Sequence, residues 1–491
     1  MKRNFAPGVP DIIFCVIAPL TAITRTVKLT HSDGDLAAHI RMGDVIRTTG
    51  AIPGHSLSSF TASNEPMVAH AWLSEIIFSL LHAAGGLALI SAVTGILVGF
   101  THASVAMFLR KRGVDARWAL AAGLISLAVS STHWLARPHM FSILGVALTL
   151  YLLESRSKKS ALLTVPLFLL WTNLHGGWLF GLVMIACYAI GDSIEAVISP
   201  ERREEWATRA QMHGAAFGLA AVSTLVNPFG IELHREVISG ATSSDLAKQM
   251  GEFMPPNFQS LAALPFVLAL LLSIALIISV RKRMSIPQIL VTIVSLAFAL
   301  RSFRGMAIFG VSAWPLIALH ASNAWPAGRR AFPMFNEIAR LDASTRAGIY
   351  ALPVAIALLV IGANNGRVFG TRLIRTEFKG TIFPVAAVER IREAGFTDRI
   401  FELWSWGGYI MYASHDAQLL VDPLKFNSST VNAYSQIDAV RPGWQGELER
   451  WNIRTIVVPP KSRLAQALER EPRWTLWYRD STSSVFRPAG N

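Results

Sequence analysis

The sequence predicts a mainly α-helical membrane protein with about eleven transmembrane helices, followed by a small α/β domain outside the membrane. Hydrophobic residues make up 52% of the chain and charged residues only 16%, and the mean hydropathy is +0.41. A soluble domain carries about 25% charged residues. Long apolar runs recur along most of the chain, and after Asn364 the composition becomes that of a soluble domain.

Hydropathy places the membrane spans between the amino terminus and residue 365. Several spans are shorter than the ~20 residues that a straight crossing requires, so their ends are approximate. They lie near 8–28, 87–109, 118–133, 139–154, 160–174, 177–198, 210–226, 261–280, 286–301, 304–321 and 347–364. We therefore assign residues 1–365 to a transmembrane domain with an external loop at 31–71, and residues 366–491 to the extramembrane domain.

The basic linkers between the spans indicate the orientation of the chain. With the amino terminus in the cytoplasm, the cytoplasmic side receives RKRGVDAR, ESRSKKS, ERREEWATR, RKRMS and AGRR, as the positive-inside rule requires. This count holds only if the short apolar segment 72–86 does not cross the membrane. That segment is expected to form an interfacial or re-entrant helix, and the carboxyl-terminal domain is then external.

Charge, cysteine content and the amino terminus argue against other protein classes. The net charge is +13, but the basic residues stand in short clusters between apolar runs, so no nucleic-acid partner is expected. Cys15 and Cys187 both lie in apolar segments, and no disulfide framework is predicted. The amino-terminal apolar run has a basic start and no small-residue cleavage site, so we expect a retained signal anchor.

The residues after Asn364 show the pattern of a small α/β domain. PVAAVERIREAGF has apolar residues at helical spacing. The short β-rich runs bounded by Gly, Pro, Asp or Ser are expected to be strands; they are RIFELW, GGYIMYA, AQLLVDP, RTIVVPP, WTLWYRD and SSVFRP.

Ionisable residues gather in the segments predicted to be external. The first external segment contributes Asp33, Asp35, His39, His70 and Glu75. Later external turns add Arg137, His139, His175, Arg301 and Arg304. An ionisable group at membrane depth costs about 3 kcal/mol and usually has a function. We therefore expect these side chains to line one polar cavity.

Asp35 opens a segment whose apolar spacing predicts an amphipathic helix along the membrane surface. A carboxylate near the amino end of a helix is stabilised by the helix dipole, and His39 follows one turn later on the same face. The alternative interpretation is a helix cap followed by a solvated helix face.

Carboxylates on one wall of a cavity and arginines on another fit a lipid-linked phosphosugar donor. The three arginines would bind the phosphate. Asp35 would act as general base, with Asp33 as its electrostatic partner, while the histidines and Glu75 would shape the cavity. The membrane would hold the lipid tail of the donor beside the site. No P-loop or Rossmann glycine pattern is present.

The histidines suggest a metal site as the other use of this region. They show no H-E-x-x-H or comparably tight spacing, so we predict no metal and no cofactor apart from the lipid-linked substrate. In WSWGGYIMY, Trp404, Trp406 and Tyr409 are candidates for binding the acceptor, because aromatic faces suit sugars. The alternative is that they pack in the core of the small domain.

Several motifs resemble those of a known group. GDLAAHIRMGDVIRTTGAIPGHSLSSFT, HAWLSEIIFSLLHAAGGLALI, RPHMFSILGVALTLYLLE, NLHGGWLFGL, LVNPFG and WSWGGYIMY occur in this order. The set looks like a group of bacterial integral-membrane proteins related to the C-fold (GT-C) glycosyltransferases, which include protein mannosyltransferases and lipid A aminoarabinose transferases. The likeness to the bacterial group covers almost the whole chain, and that to the enzymes is looser and covers the first half.

The resemblance implies a location in the bacterial inner membrane and a polyprenyl-phosphate sugar as donor. In C-fold enzymes the first external loop carries the catalytic carboxylate and a surface helix, which implies Asp35 or Asp33 here. Such enzymes often have an adjacent acidic pair, whereas this chain has Gly34 between the two aspartates. Which aspartate acts is therefore left open.

The predicted function is transfer of a sugar from polyprenyl phosphate to a lipid, glycan or protein acceptor on the external face. One alternative is a non-catalytic scaffold that presents the carboxyl-terminal domain to a larger complex. Another is a transporter of the lipid-linked sugar, although transporters bind substrate near mid-span and the charged residues here stand at loop ends.

Overall fold

The computed structural model describes residues 7–24, 34–242, 252–280, 284–324, 348–425 and 428–490. Most of these residues are helical, and small sheets lie near the carboxyl terminus. The predicted mainly α-helical character and the α/β composition of the carboxyl-terminal part are thus confirmed. Asp33 lies outside the described residues.

Helices dominate the chain before residue 364. They are α1 (Val9–Thr24), α2 (Asp35–Thr49), α3 (Trp72–Lys111), α4 (Ala116–Ser130), α5 (His139–Glu154), α6 (Lys158–Leu162), α7 (Thr164–Leu174), α8 (Trp178–Ile198), α9 (Arg203–Ser223), α10 (Ile231–Thr242), α11 (Leu264–Ser279), α12 (Ile286–Arg301), α13 (Phe303–Val311), α14 (Ala313–Ala324) and α15 (Ala351–Ala363). Short 3₁₀ turns cover Ser131–His133 and Pro200–Arg202.

Helices and strands mix in the part that follows. The helices are α16 (Val385–Glu393), α17 (Trp404–Ala413), α18 (Ser428–Asp438), α19 (Trp444–Arg450) and α20 (Arg463–Leu468). The strands are β1 (Arg367–Val368), β2 (Thr371–Arg372), β3 (Ile400–Glu402), β4 (Thr455–Val458), β5 (Trp474–Arg479) and β6 (Ser484–Pro488).

Some of the helices have the length and apolar composition needed to cross a membrane. Within the described residues, three helical segments are long and apolar enough to cross a membrane: Trp72–Lys111, Trp178–Ile198 and Phe303–Ser322. Shorter apolar helices are α1, α5, α11, α12 and α15. Composition and these segments are those of an integral membrane protein, and the number of about eleven spans stays a prediction.

The chain divides into two compact units. The helical unit comprises Met1–Thr24, Ala92–Trp134 and Pro138–Ile361, and the α/β unit comprises Arg25–Ser91, Leu135–Arg137 and Gly362–Asn491. The first predicted external segment, with α2 and the start of α3, therefore belongs to the same compact unit as the carboxyl-terminal residues. This grouping places Asp35, His39, Glu75 and Arg137 in one unit.

Helix α3 contains a break at two glycines. Gly85 has φ −161° and ψ 19°, and Gly86 has φ 61° and ψ −158°, so neither residue is helical. Glycine adopts such a positive φ without the penalty that a side chain brings. The break ends the segment 72–84 where the sequence predicted a separate helix, and whether that helix crosses the membrane stays a prediction.

Helix α2 packs closely on the start of α3. Leu36 and Ile40 are fully buried and belong to the same hydrophobic cluster as Phe78 of α3. A Cβ atom at Gly43 would lie 1.9 Å from the carbonyl oxygen of Glu75, so only glycine allows this approach of the two backbones. The glycine thus sets the distance between the helix that carries His39 and the helix that carries Glu75.

A four-stranded sheet organises the α/β unit. Its strand order is β3-β4-β6-β5, in which β3 and β4 are parallel and the other pairs are antiparallel. A separate hairpin joins β1 and β2. Fully buried Phe401, Ile456 and Phe486 contribute to one core on this sheet. The predictions of strands in RIFELW, RTIVVPP, WTLWYRD and SSVFRP, and of a helix in PVAAVERIREAGF, are confirmed.

One predicted strand was wrong, because GGYIMYA lies in helix α17. A Cβ atom at Gly408 would lie 2.1 Å from the carbonyl oxygen of Gly34, and α17 packs on the first turn of α2 at this glycine. Ile410 and Tyr409 are buried in the same hydrophobic core. A short apolar run does not distinguish strand from helix by periodicity, and tertiary packing decided here. The strand predicted in AQLLVDP was also wrong, since this segment forms isolated bridges at Leu419 instead of a strand.

Glu402 ends strand β3 and is 1% exposed. Burial raises the pKa of its carboxyl well above the ordinary value of 4.5, and the nearby charge of Asp422 adds to the rise. Because the folded pKa exceeds the unfolded pKa, the stabilising contribution of this group is complete below the unfolded value and is lost as pH rises towards the folded value.

Replacing Glu402 with Gln is therefore expected to stabilise the protein at alkaline pH. Gln keeps the shape of the protonated carboxyl but never ionises. At about pH 8 the variant should melt about 2–4 °C above the wild type, and at about pH 4 it should show no gain. Thermal unfolding at the two pH values measures this difference. The same melting difference at both pH values would contradict the assignment.

Candidate active site

Asp35 and Arg137 form an ion pair within the α/β unit. Asp35 is the first residue of α2, where the helix dipole favours a carboxylate. Its Oδ2 lies 3.1 Å from Nη1 of Arg137, and the two side chains are 24% and 15% exposed. The guanidinium is well placed to orient the carboxylate, which stays accessible at the start of its helix.

His39 and Glu75 form a second pair in the same unit. The Nδ1 atom of His39 lies 3.2 Å from Oε1 of Glu75, and the two side chains are 12% and 4% exposed. Oε2 of Glu75 is buried and has no hydrogen-bond partner among the described residues. An unpartnered buried carboxylate oxygen is costly. It is available to an incoming donor group such as a hydroxyl.

His70, a predicted site residue, and Asp44 lie outside these two pairs. His70 is half-buried in the turn directly before α3. Asp44 lies further along α2, where it accepts a 2.6 Å hydrogen bond from the hydroxyl of Ser79 and lies 3.6 Å from Arg47. Asp44 is thus a carboxylate on the same helix with partners of its own.

The helical unit holds a separate cluster of histidines. The rings of His133 and His139 lie 4.2 Å apart, and those of His139 and His175 lie 6.5 Å apart. Nε2 of His139 donates to the carbonyl oxygen of His133 at 2.9 Å. The predicted pair His139 and His175 is therefore brought together, with His133 as a third member.

Hydrogen bonds determine the tautomer of His175. Its Nδ1 accepts the backbone N–H of Gly177 at 3.1 Å and lies 2.7 Å from the hydroxyl of Ser142. That hydroxyl oxygen accepts the indole N–H of Trp171 at 2.8 Å, so its own proton can point to His175. A neutral His175 ring therefore carries its proton on Nε2.

Glu252 joins the predicted Arg304 to this cluster. The two side chains form an ion pair, and Oε2 of Glu252 lies 4.0 Å from Nε2 of His133. The guanidinium of Arg304 stacks over Phe253 at 4.2 Å, and its Nε is buried without a hydrogen-bond partner in the described part of the chain. Arg301, at the end of α12, is exposed.

Glu252 was missed in the sequence. The signal that could have identified it is its position as the acidic residue of GEFMPPNFQ, an external turn by the predicted topology. The structure thus shows one cluster around Asp35 and another around Glu252, each within its own unit. That the two clusters line one cavity stays a prediction.

The aromatic residues proposed to bind an acceptor are largely buried. Trp406 is 4% exposed and donates its indole N–H to the carbonyl oxygen of Ile382 at 2.8 Å, and Tyr409 is 7% exposed. Trp404 is half-buried and packs edge-on against Tyr434. Buried rings offer no face to a sugar, so the packing interpretation describes Trp406 and Tyr409.

No three His, Cys, Asp or Glu side chains come together as a metal site in the ranges that the structure describes. The prediction about cofactors stays a prediction.

Comparison with known proteins gives matches in fold. No protein-family model matches the chain, and no curated protein matches its sequence. The oligosaccharyltransferase AglB from Archaeoglobus fulgidus, in complex with an inhibitory peptide and a dolichol-phosphate, aligns with a TM-score of 0.54 and 11% identity. The alignment covers 98% of this chain and 74% of that chain.

Two further solved structures align at similar levels. ArnT from Cupriavidus metallidurans, bound to undecaprenyl phosphate, has a TM-score of 0.51 and 12% identity over 98% of each chain. The arabinofuranosyltransferase AftD from Mycobacteria has a TM-score of 0.51 and 14% identity over 97% of this chain and 42% of that chain. These neighbours are GT-C glycosyltransferases. The chain therefore has the GT-C fold, as its motifs implied.

Proposed function

We propose that this protein is a membrane glycosyltransferase that moves a sugar from a polyprenyl-phosphate donor to a lipid, glycan or protein acceptor. The observation that carries the proposal is the Asp35–Arg137 ion pair at the start of α2, in a chain with the GT-C fold. The donor class is supported by AglB and ArnT, whose structures contain dolichol-phosphate and undecaprenyl phosphate, respectively.

Asp35 would act as the general base. As a hydroxyl or amine of the acceptor attacks the anomeric carbon of the sugar, its proton passes to the Asp35 carboxylate. The bond between the anomeric carbon and the phosphate oxygen breaks, and its electron pair leaves with the polyprenyl phosphate. Arg137 would orient the carboxylate, so that the acceptor meets a base of defined geometry.

His39 and Glu75 would hold the acceptor beside this base. His39 follows Asp35 by one helical turn, on the same face of α2. The unpartnered Oε2 of Glu75 would accept a hydrogen bond from a second hydroxyl of the acceptor. Arg304, in the helical unit, is a candidate for binding phosphate oxygens, since guanidinium groups recognise them in a bidentate manner.

We further propose that the reaction takes place on the external face of the bacterial inner membrane, with the amino terminus in the cytoplasm. This orientation rests on the basic linkers of the sequence. A polyprenyl-linked donor and an acceptor would meet at the membrane surface, where the lipid tail restricts the donor to two dimensions and raises its effective concentration.

Mass spectrometry of lipid-linked sugars and envelope glycans tests the proposal. Cells that lack the protein should accumulate one polyprenyl-phosphate sugar and lose the glycan that carries this sugar. Expression of the wild-type protein should reverse both changes. If the protein were a scaffold, its loss would alter envelope assembly without accumulation of a donor. Unchanged donor and glycan pools would contradict the proposal.

Purified protein separates the transferase from the transporter. A transferase should convert the accumulated donor in detergent, where no membrane barrier exists. A transporter would leave the donor intact under the same conditions, although its loss in cells also causes the donor to accumulate.

A further inference from the structure

A short β-hairpin follows the apolar helix α15. Strands β1 and β2 pair antiparallel with Arg367 opposite Arg372, and Phe369 and Gly370 form the turn between them. Asn364, one residue beyond α15, ties the hairpin to this helix. Its carbonyl oxygen accepts the backbone N–H of Arg367 at 3.0 Å, and its side-chain amide donates to the carbonyl oxygen of Arg367 at 2.9 Å. The hairpin is therefore held at the end of α15.

Phe369 occupies this turn at a conformational cost. Its φ is 45°, and that of Gly370 is 82°. Two-residue hairpin turns with positive φ at both positions favour Asn, Asp or Gly, and such a φ is an outlier for a bulky residue. The Phe369 side chain is fully exposed, so burial within this chain does not offset the cost. A backbone outlier of this kind is a reason to look for a function.

The end of α15 packs against the glycine break of α3. A Cβ atom at Gly85 would lie 2.6 Å from the carbonyl oxygen of Gly362. The predicted membrane spans 87–109 and 347–364 both have their external ends at this contact. The turn begins two residues beyond the tied end of β1, a distance of at most about 7 Å along the chain. It therefore lies near the level at which the sequence places the external membrane surface.

Basic side chains flank the turn. Arg367 and Arg372 stand directly opposite each other in the ladder, where like charges destabilise the pairing. Both are exposed, as is Arg375. Arg372 donates to the carbonyl oxygen of Thr376 at 3.0 Å, and Arg375 donates to that of Arg372 at 3.3 Å. None of the three arginines forms an ion pair with a carboxylate in the ranges that the structure describes. An anion from outside the chain would relieve their repulsion.

Apolar side chains are exposed on both sides of the hairpin. On α15, Leu352, Ile356 and Val360 follow one another at four-residue spacing and are 64%, 51% and 63% exposed. Leu373, directly after β2, is 40% exposed. An apolar helix face of this kind suits acyl chains rather than water. The chain thus passes from a helix face suited to lipid directly into a basic hairpin with a phenylalanine at its tip.

We propose that the β1–β2 hairpin docks on the external surface of the lipid bilayer, with Phe369 inserted among the lipids and Arg367 and Arg372 binding phosphate groups of anionic phospholipids. Apolar aromatic and basic side chains together are typical of segments that lie at the bilayer interface. The lipid would supply the apolar contact that Phe369 lacks and the negative charge that the opposed arginines lack. This anchoring role does not depend on the proposed transfer reaction.

Photo-crosslinking of the full-length protein in nanodiscs tests the docking. The photoreactive residue p-benzoylphenylalanine replaces Phe369, and the nanodiscs contain equal amounts of phosphatidylglycerol and phosphatidylcholine. Irradiation should attach lipid to the hairpin peptide, which mass spectrometry detects. The same replacement at Leu476 is the matched control, because Leu476 is an exposed apolar residue of strand β5 in the four-stranded sheet. The control should yield no lipid adduct.

An arginine variant measures the contribution of the basic side chains. With the crosslinker at position 369, adducts of phosphatidylglycerol should outnumber those of phosphatidylcholine. Arg372→Gln should lower this ratio by roughly fivefold, the order expected for one lost basic contact. Arg441→Gln is the control and should keep the ratio, because Arg441 is exposed between α18 and α19.

The remaining outcomes contradict the proposal. Absence of lipid adducts at position 369, or equal yields at positions 369 and 476, would overturn the docking on the bilayer. Crosslinks to a second copy of the chain in place of lipid would overturn it as well. Equal yields of the two lipids, or equal changes in Arg372→Gln and Arg441→Gln, would overturn the role of the arginines. Melting in detergent shows that each variant has folded, and all of these readouts are independent of sugar transfer.

Discussion

An Asp35→Asn variant is expected to lose at least about 100-fold of the sugar-transfer rate while it keeps its fold. Asn has the size of Asp but accepts no proton at neutral pH and carries no charge for Arg137. The removed group would act in the transition state, so the loss should appear in kcat rather than in KM. Initial rates with the purified protein and the donor identified by mass spectrometry measure this effect.

Asp44→Asn is the matched control for this variant. The same chemical change is made on the same helix, at a carboxylate that contacts Ser79 and Arg47 rather than Arg137. Its rate should stay within about twofold of the wild-type rate. Wild-type activity in Asp35→Asn would remove Asp35 from the mechanism. Equal losses in the two variants would point to a general defect of α2.

Gly43→Ala is expected to separate α2 from the start of α3. The added Cβ would lie 1.9 Å from the carbonyl oxygen of Glu75 and 2.8 Å from Cβ of Ser79. The first contact is with backbone, which cannot rotate away, so one helix must move. We expect the free energy of unfolding to fall by about 1–3 kcal/mol, and the contact between His39 and Glu75 to be lost.

Thermal unfolding and transfer rate together measure this second effect. Gly54→Ala is the control, because no atom lies within 4 Å of a Cβ at Gly54 and its φ is not in the left-handed region. This control variant should melt at the same temperature as the wild type and retain its transfer activity. If Gly43→Ala melted at the same temperature as the wild type, the close approach of α2 and α3 at Gly43 would not contribute to stability.

Local patterns in the sequence account for much of the α/β unit. The helical spacing of PVAAVERIREAGF corresponds to α16, and the β-branched run of RTIVVPP corresponds to β4. These elements can be predicted from short stretches of sequence, because the spacing of apolar side chains determines which face of a helix or strand is buried. The break at Gly85 and Gly86 coincides with the boundary predicted between the segment 72–86 and the span that starts at residue 87.

The same local reasoning failed where packing overrode it. GGYIMYA has the residues of a strand, but Gly408 allows this segment to lie against Gly34 as part of helix α17. The aromatic residues of WSWGGYIMY showed a similar limit. Trp406 and Tyr409 lie in the core, and composition does not distinguish a packed ring from an exposed one.

Asp35 and His39 could be singled out because both stand in one short stretch, where helical spacing relates them directly. Their partners belong to other elements: Arg137 precedes α5, Glu75 lies in α3, and Arg304 pairs with Glu252. Residue type and order along the chain were sufficient for the membrane character, the helix that begins at Asp35 and the candidate carboxylate. Which charges pair, and which rings are covered, depends on contacts between distant segments, and those exist only once the chain has folded.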